Sequence, residues 1–61
     1  MNADAPPTDW RDPLFRGLPE TDARELMEYA FTIYGYNQRN GTDTWRSQTD
    51  LRVRLRLQGL A

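Results

Sequence analysis

The sequence predicts an α+β fold in which one amphipathic helix packs on a small antiparallel sheet. Three observations predict it: an apolar stripe with helical spacing over residues 22–34, an Asn-Gly dipeptide at 40–41, and alternating aliphatic and arginine residues over 51–57. The chain has 61 residues, which is enough for one small domain. We expect that domain to comprise residues 10–61 and residues 1–9, which are polar and contain two prolines, to form a flexible N-terminal arm.

An irregular apolar segment comes directly before the predicted helix. Its large side chains follow no helical or strand period and are interrupted by proline and glycine; they are Trp10, Leu14, Phe15 and Leu18. A chain this short needs nearly all of its apolar groups for its core, so we expect the segment to lie across the core as a lid. The alternative is an exposed recognition segment.

A single helix is predicted from about Asp22 to Tyr34. Apolar residues recur there at positions i, i+3, i+4 and i+7, which places them on one face; they are Ala23, Leu26, Met27, Ala30, Ile33 and Tyr34. Glu25 and Glu28 lie opposite this stripe, and Asp22 and Glu25 have the spacing of a capping box. Gly35 follows the stripe and can adopt the left-handed conformation that ends many helices.

A β-hairpin is predicted after the helix. Asn40-Gly41 is a strong signal for a two-residue type I′ turn, with strands near residues 36–39 and 42–47. Folding the chain about this turn places Tyr36 opposite Trp45, as a stabilising aromatic pair.

The third predicted strand spans residues 51–57. Successive side chains of a strand point to opposite faces, so the aliphatic residues would share one face and Arg52, Arg54 and Arg56 the other. We expect the aliphatic face to pack on the helix stripe, with the core formed by Leu26, Ala30, Ile33, Val53 and Leu55. The open edge of this strand would invite pairing with a second chain.

The composition argues against an enzyme. The chain has no cysteine, no histidine and no lysine, so it lacks a histidine for acid–base work, a cysteine nucleophile, a lysine for a Schiff base and the commonest zinc ligands. Its carboxylates alone could act as acid and base only in a pocket that shifts their pKa values, which a domain with one thin core is not expected to hold. We therefore expect no catalytic residue, no cofactor and no metal site. Disulfides are excluded, and a small domain without a covalent or metal staple is expected to depend on a partner.

The charge is distributed unevenly along the chain. Residues 1–28 carry seven acidic residues and three arginines, a net −4, whereas residues 29–61 carry two acidic residues and five arginines, a net +3. The two halves could attract each other within one fold, or a charged face could meet a complementary partner. Exclusive use of arginine is also what a GC-rich coding sequence gives, which suggests a bacterium or a phage.

The sequence thus predicts a small non-enzymatic protein–protein interaction module. It would be a homodimer, an accessory subunit, or a modulator or inhibitor of a larger host protein, encoded by a phage or mobile element. The alternative is a nucleic-acid-binding module that uses the arginine face. The candidate partner-binding residues are Arg52, Arg54, Arg56, Trp45, Tyr36, Glu25 and Glu28. We expect a cytoplasmic location and no contact with a membrane, because no apolar run is long enough to span one.

Overall fold

The computed structural model describes residues 5–40 and 45–59, and in these ranges the chain is helical without any strand. A short 3₁₀ helix spans Pro13–Phe15, helix α1 spans Glu20–Asn40 and helix α2 spans Trp45–Leu57. The prediction of an α+β fold with an antiparallel sheet is therefore wrong. The predicted turn at 40–41 and the start of the strand at 42–47 lie mostly outside the described residues, whereas residues 45–47 are helical.

Helix α1 is longer than the sequence predicts at both ends. It begins at Glu20, and the amide of Ala23 donates to the carbonyl of Pro19 at 3.0 Å, so Asp22 lies inside the first turn and does not cap it. It continues through Gly35, which is not left-handed, so the predicted helix end and the strand at 36–39 are both wrong. The added turns contribute Asn37, which is 6% exposed, to the interior.

Helix α2 includes the segment predicted as the third strand. Its buried residues are Trp45, Thr49 and Val53, which follow one another at intervals of four and form a single helical stripe. Leucine and arginine also have high helix propensity, whereas the segment contains few β-branched residues. The alternation at 51–57 therefore does not decide the structure, and Leu51 and Leu57 remain more than half exposed.

The two helices form an antiparallel hairpin. Arg56, near the end of α2, contacts Asp22 and Glu25, near the start of α1, which fixes the relative direction of the helices. An αα-hairpin is the packing expected of two helices joined by a short connection.

The irregular segment packs against one side of this hairpin. Phe15 is 2% exposed and forms the core with Ala23, Leu26 and Val53. Four partly buried residues pack against that core: Trp10, Leu14, Leu18 and Met27. The prediction that residues 10–18 form a lid is confirmed by this packing. Of the core predicted from the sequence, Leu26, Ala30 and Val53 are buried, but Ile33 and Leu55 are only partly buried.

A glycine allows the segment to approach α2 closely. Gly17 has a φ of +92°, and a Cβ at this position would lie 3.3 Å from Cδ2 of Leu57. Both the backbone conformation and the narrow space favour glycine over any other residue. No helix in the described ranges combines the length and the apolar character that a membrane span requires.

Candidate functional site

The two long sides of the hairpin have different environments. On one side, Leu14 of the N-terminal segment lies with Arg46 and Asp50 around a depression of about 440 Å³, and Gly17 approaches Leu57. Residues 46, 50 and 57 share one side of α2, at intervals of four and seven. We call this the closed side, because residues 10–18 pack against it.

The opposite side carries several exposed side chains, among them Tyr36 and Arg52. Arg52 reaches from α2 across to Tyr29 of α1, which shows that these two residues face the same direction. Helical spacing then places the neighbours of each residue on the same side. We call this surface the open face; its residues are Tyr29, Ile33 and Tyr36 of α1 and Leu51, Arg52 and Leu55 of α2.

Apolar side chains form two ridges along the open face. Tyr36 is 60% exposed and Leu51 is 56% exposed, while Tyr29, Ile33 and Leu55 are partly buried. Exposed large apolar residues that lie together, and not singly, are typical of interaction surfaces.

An arginine lies between the two ridges. The guanidinium carbon of Arg52 is 5.0 Å from the centroid of the Tyr29 ring, which is within the range of a cation–π interaction. Arg52 is exposed and forms no ion pair with any other described residue. A shallow depression of about 200 Å³ lies beside it, lined by Glu25, Leu26, Tyr29, Arg52 and Arg56. The open face therefore combines apolar area with one positive charge that the described part of the chain leaves unneutralised.

An ion-pair cluster closes the end of the open face. Arg56 Nη1 donates to Asp22 Oδ1 at 2.9 Å, and Arg56 Nη2 lies 2.9 Å from Glu25 Oε1. The hydrogen bond to Glu25 is the main cause that raises the pKa of Arg56 above its ordinary value, with partial burial acting against it and Asp22 adding to the increase. At this contact the acidic N-terminal half and the basic C-terminal half of the chain attract each other within one fold.

The three arginines predicted to share a face are separated by the helix. Arg52 lies over Tyr29, and Arg56 is held by the two carboxylates of α1. Arg54 points to a different side of α2 and pairs with Asp50 four residues before it, at 2.9 Å. No continuous cationic face exists in this part of the chain, because residues two apart lie on different sides of a helix.

The other candidate residues also have distinct positions. Trp45 is 1% exposed, so its ring is part of the interior and does not form an exposed stacking surface with Tyr36. Glu25 belongs to the Arg56 cluster, whereas Glu28 is exposed on the side of α1 that faces away from α2.

Four residues of the open face were missed as site residues: Tyr29, Ile33, Leu51 and Leu55. The spacing of Tyr29, Ile33 and Tyr36 at i, i+4 and i+7 is a signal in the sequence for a second apolar line beside the core stripe. For Leu51 and Leu55 no such signal existed, because their face depends on whether residues 51–57 form a strand or a helix.

No group of three or more potential metal ligands occurs among the residues that the structure describes. Comparisons with protein-family models, with curated proteins and with solved structures find no match. Function is therefore argued from the geometry and charge of the open face.

Proposed function

We propose that this chain is a small non-enzymatic protein–protein interaction module. Its open face would bind the apolar side of an amphipathic segment of another protein, with an acidic residue of that segment placed at Arg52. The observation that carries the proposal is the combination of apolar side chains from both helices, of which Tyr36 and Leu51 are more than half exposed, with an arginine that has no acidic partner in the described chain.

The apolar part of the open face suits a helical or extended apolar segment. The line of Tyr29, Ile33 and Tyr36 and the line of Leu51 and Leu55 lie on neighbouring antiparallel helices, and the depression beside Arg52 has lining residues from both helices. Amphipathic helices commonly bind to apolar surfaces of this kind through residues spaced at i, i+3, i+4 and i+7. Tyrosine and arginine are also enriched among the residues that dominate binding energy at interfaces.

Arg52 determines which charge the proposed partner should carry. A guanidinium group binds a carboxylate through two parallel hydrogen bonds. Because Arg52 is already held over the Tyr29 ring, less side-chain freedom is lost when such a contact forms. An acidic residue flanked by apolar ones is therefore the partner motif that this face fits best.

Binding of nucleic acid is not proposed, because the arrangement on which it depended is absent. Arg54 and Arg56 are paired with acidic residues of the same chain, and Trp45 is buried. Arg52, which has no ion pair among the described residues, provides by itself little of the phosphate contact that nucleic-acid affinity requires. The cytoplasmic location expected from the sequence remains part of this proposal, and cell fractionation would test it.

The proposal is tested with a matched pair of substitutions on α2. Arg52→Gln and Arg54→Gln remove the same charge from the same helix, but only Arg52 lies on the open face. We expect Arg52→Gln to weaken capture of the partner from host lysate by about tenfold, and Leu51→Glu to abolish it, because both change the proposed contact. Arg54→Gln should bind like the wild type.

Quantitative affinity capture with mass spectrometry would measure these differences, and circular dichroism would verify that every variant is folded. If Arg52→Gln and Arg54→Gln reduced the amount of captured partner equally, the open face would not be the binding surface. Capture that disappears after nuclease treatment would also contradict the proposal, because the partner would then be nucleic acid.

A further inference from the structure

The outer surface of α1 carries a second line of exposed residues, on the side opposite its buried residues. We call it the outer stripe; its members are Glu28, Phe31, Thr32, Gly35, Tyr36 and Arg39. All six are exposed, and their spacing of three, four, seven, eight and eleven residues keeps them on one face of the helix. Only Tyr36 is shared with the open face, at the edge where the two surfaces meet.

Two opposite charges mark the ends of this stripe. Neither Glu28 nor Arg39 forms an ion pair with another described residue. Eleven residues separate them, which is about 16.5 Å along the axis and only about 20° around it. They are too far apart to pair within one helix. A second copy of α1 that runs antiparallel would place Glu28 of each chain against Arg39 of the other.

The residues between these charges fit the same register. The alignment that pairs position 28 with position 39 also pairs Thr32 with Gly35. Apart from its chain neighbours and the nearby backbone of the helix itself, no heavy atom of the described residues lies within 4 Å of the place where a Cβ on Gly35 would be, so the helix surface has an open notch there. The Thr32 hydroxyl already donates to the carbonyl of Glu28 at 3.0 Å. Thr32 can therefore present its methyl group to the notch without leaving its hydroxyl unsatisfied.

Two exposed aromatic residues lie along the edges of the stripe. Phe31 is 40% exposed and Tyr36 is 60% exposed, and they lie on opposite sides of the line from Glu28 to Arg39. A two-fold axis perpendicular to both helices keeps each edge next to the same edge of the other copy. Each aromatic ring would thus lie near its own counterpart, and the two edges would cover the centre from water.

We propose that the outer stripe binds the outer stripe of a second copy, as an antiparallel pair with two-fold symmetry. Such an interface is isologous, because the same residues serve both chains. It does not depend on the proposed function: Tyr36 belongs to both surfaces, but Leu51 and Arg52 lie outside the outer stripe. The stripe is short, so we expect a weak dimer with a dissociation constant on the order of 100 µM.

Charge exchange at the two ends of the stripe gives the sharpest test. Glu28→Arg and Arg39→Glu each turn two attractions into two repulsions and should weaken the dimer by about tenfold or more. The double variant Glu28→Arg/Arg39→Glu restores both pairs with their signs reversed, so its dissociation constant should return to within about threefold of the wild type. Sedimentation equilibrium over about 10 µM to about 1 mM covers the expected range. Arg52→Gln, on the open face, is the matched control and should leave the dimer unchanged.

Gly35→Ala should change the stability of the single chain and the affinity of the dimer in opposite directions. Alanine is the better helix former, and the site has space for a methyl group, so the melting temperature at low concentration should rise. The same methyl group fills the notch that Thr32 of the second copy would use, so dimerisation should weaken by about fivefold. A chain that stays monomeric up to about 1 mM would overturn the proposal. A dimer that is unaffected by the single charge changes, or not restored by the double change, would do the same.

Discussion

The closed side and the open face of the hairpin are built from the same two helices, yet they differ in what they contact. On the closed side, Phe15 of the segment before α1 is 2% exposed and Val53 of α2 is 4% exposed, because the two belong to one buried cluster. On the open face, Leu51, only two residues from Val53, is 56% exposed. A position in α2 is therefore buried or exposed according to its direction and not according to its hydrophobicity.

This difference separates the residues that stabilise the chain from those available to a partner. The buried apolar groups lie between α1, α2 and residues 10–18, so the stability of the fold depends on the N-terminal segment as much as on the helix pair. The open face contributes less to this core, and Tyr36 and Leu51 on it are more than half exposed. Three measurements test that division.

Phe15→Ala, on the closed side, is expected to cause the largest loss in the free energy of unfolding. Removing a buried phenylalanine costs about 3–5 kcal/mol, which is comparable to the whole free energy of unfolding of a chain this size. We expect the variant to be largely unfolded at room temperature in circular dichroism. Leu51→Ala is the control on the open face and should change the free energy of unfolding by about 0.5 kcal/mol or less. Similar losses in the two variants would contradict the division between the two sides.

Arg56→Gln is expected to lower the melting temperature by an intermediate amount. Arg56 lies where the end of α2 contacts the start of α1. Arg56 joins α2 to both Asp22 and Glu25, and only 24% of its side chain is exposed. Arg54→Gln is its control, because the ion pair of Arg54 among the described residues is an exposed i,i+4 pair with Asp50, of a kind worth about 0.3–0.5 kcal/mol. Thermal unfolding at low salt should show a clearly larger fall in melting temperature for Arg56→Gln. Equal falls would mean that the contact between the helices does not add to stability.

The smallest expected effect is the contribution of the Asp9 carboxylate to stability, at the start of the segment that packs on the closed side. The Arg11 amide donates to Asp9 Oδ1 at 2.9 Å, and this hydrogen bond is the main cause that lowers the pKa of Asp9 below its ordinary value. A lowered pKa means that the ionised carboxylate favours the folded turn. This contribution is present above the pKa of the unfolded chain and is lost as the pH falls through the pKa of the folded one.

Carbon-detected NMR titration of the Asp9 carboxyl group would measure this shift directly. The same carboxyl in the urea-unfolded chain is the reference, and its midpoint should lie at higher pH. Coincident midpoints would mean that the turn at residues 9–11 is not formed in solution.

Part of the fold follows from local patterns in the sequence. The stripe of Leu26 and Ala30 predicts α1, and both residues are buried. A chain this small needs nearly all of its apolar side chains for its core, which predicts that Phe15 packs on the core. The structure confirms this packing. Both inferences depend on features of the sequence that have the same consequence in alternative folds. These features are a helical period in one segment and a shortage of apolar groups in the whole chain.

The identity of α2 and the position of the open face were decided by the tertiary structure. The alternation at residues 51–57 is compatible with a strand, but a strand needs neighbouring strands to satisfy its backbone groups, whereas a helix satisfies them within itself. In the folded chain α1 continues through Gly35, so residues 36–39 are helical and form no strand that could pair with residues 51–57. Trp45, Thr49 and Val53 then become the buried stripe, and the arginines of that segment are directed to three different contacts. The sequence alone determined where apolar and charged residues occur; the packing of α2 on α1 determined which of them meet.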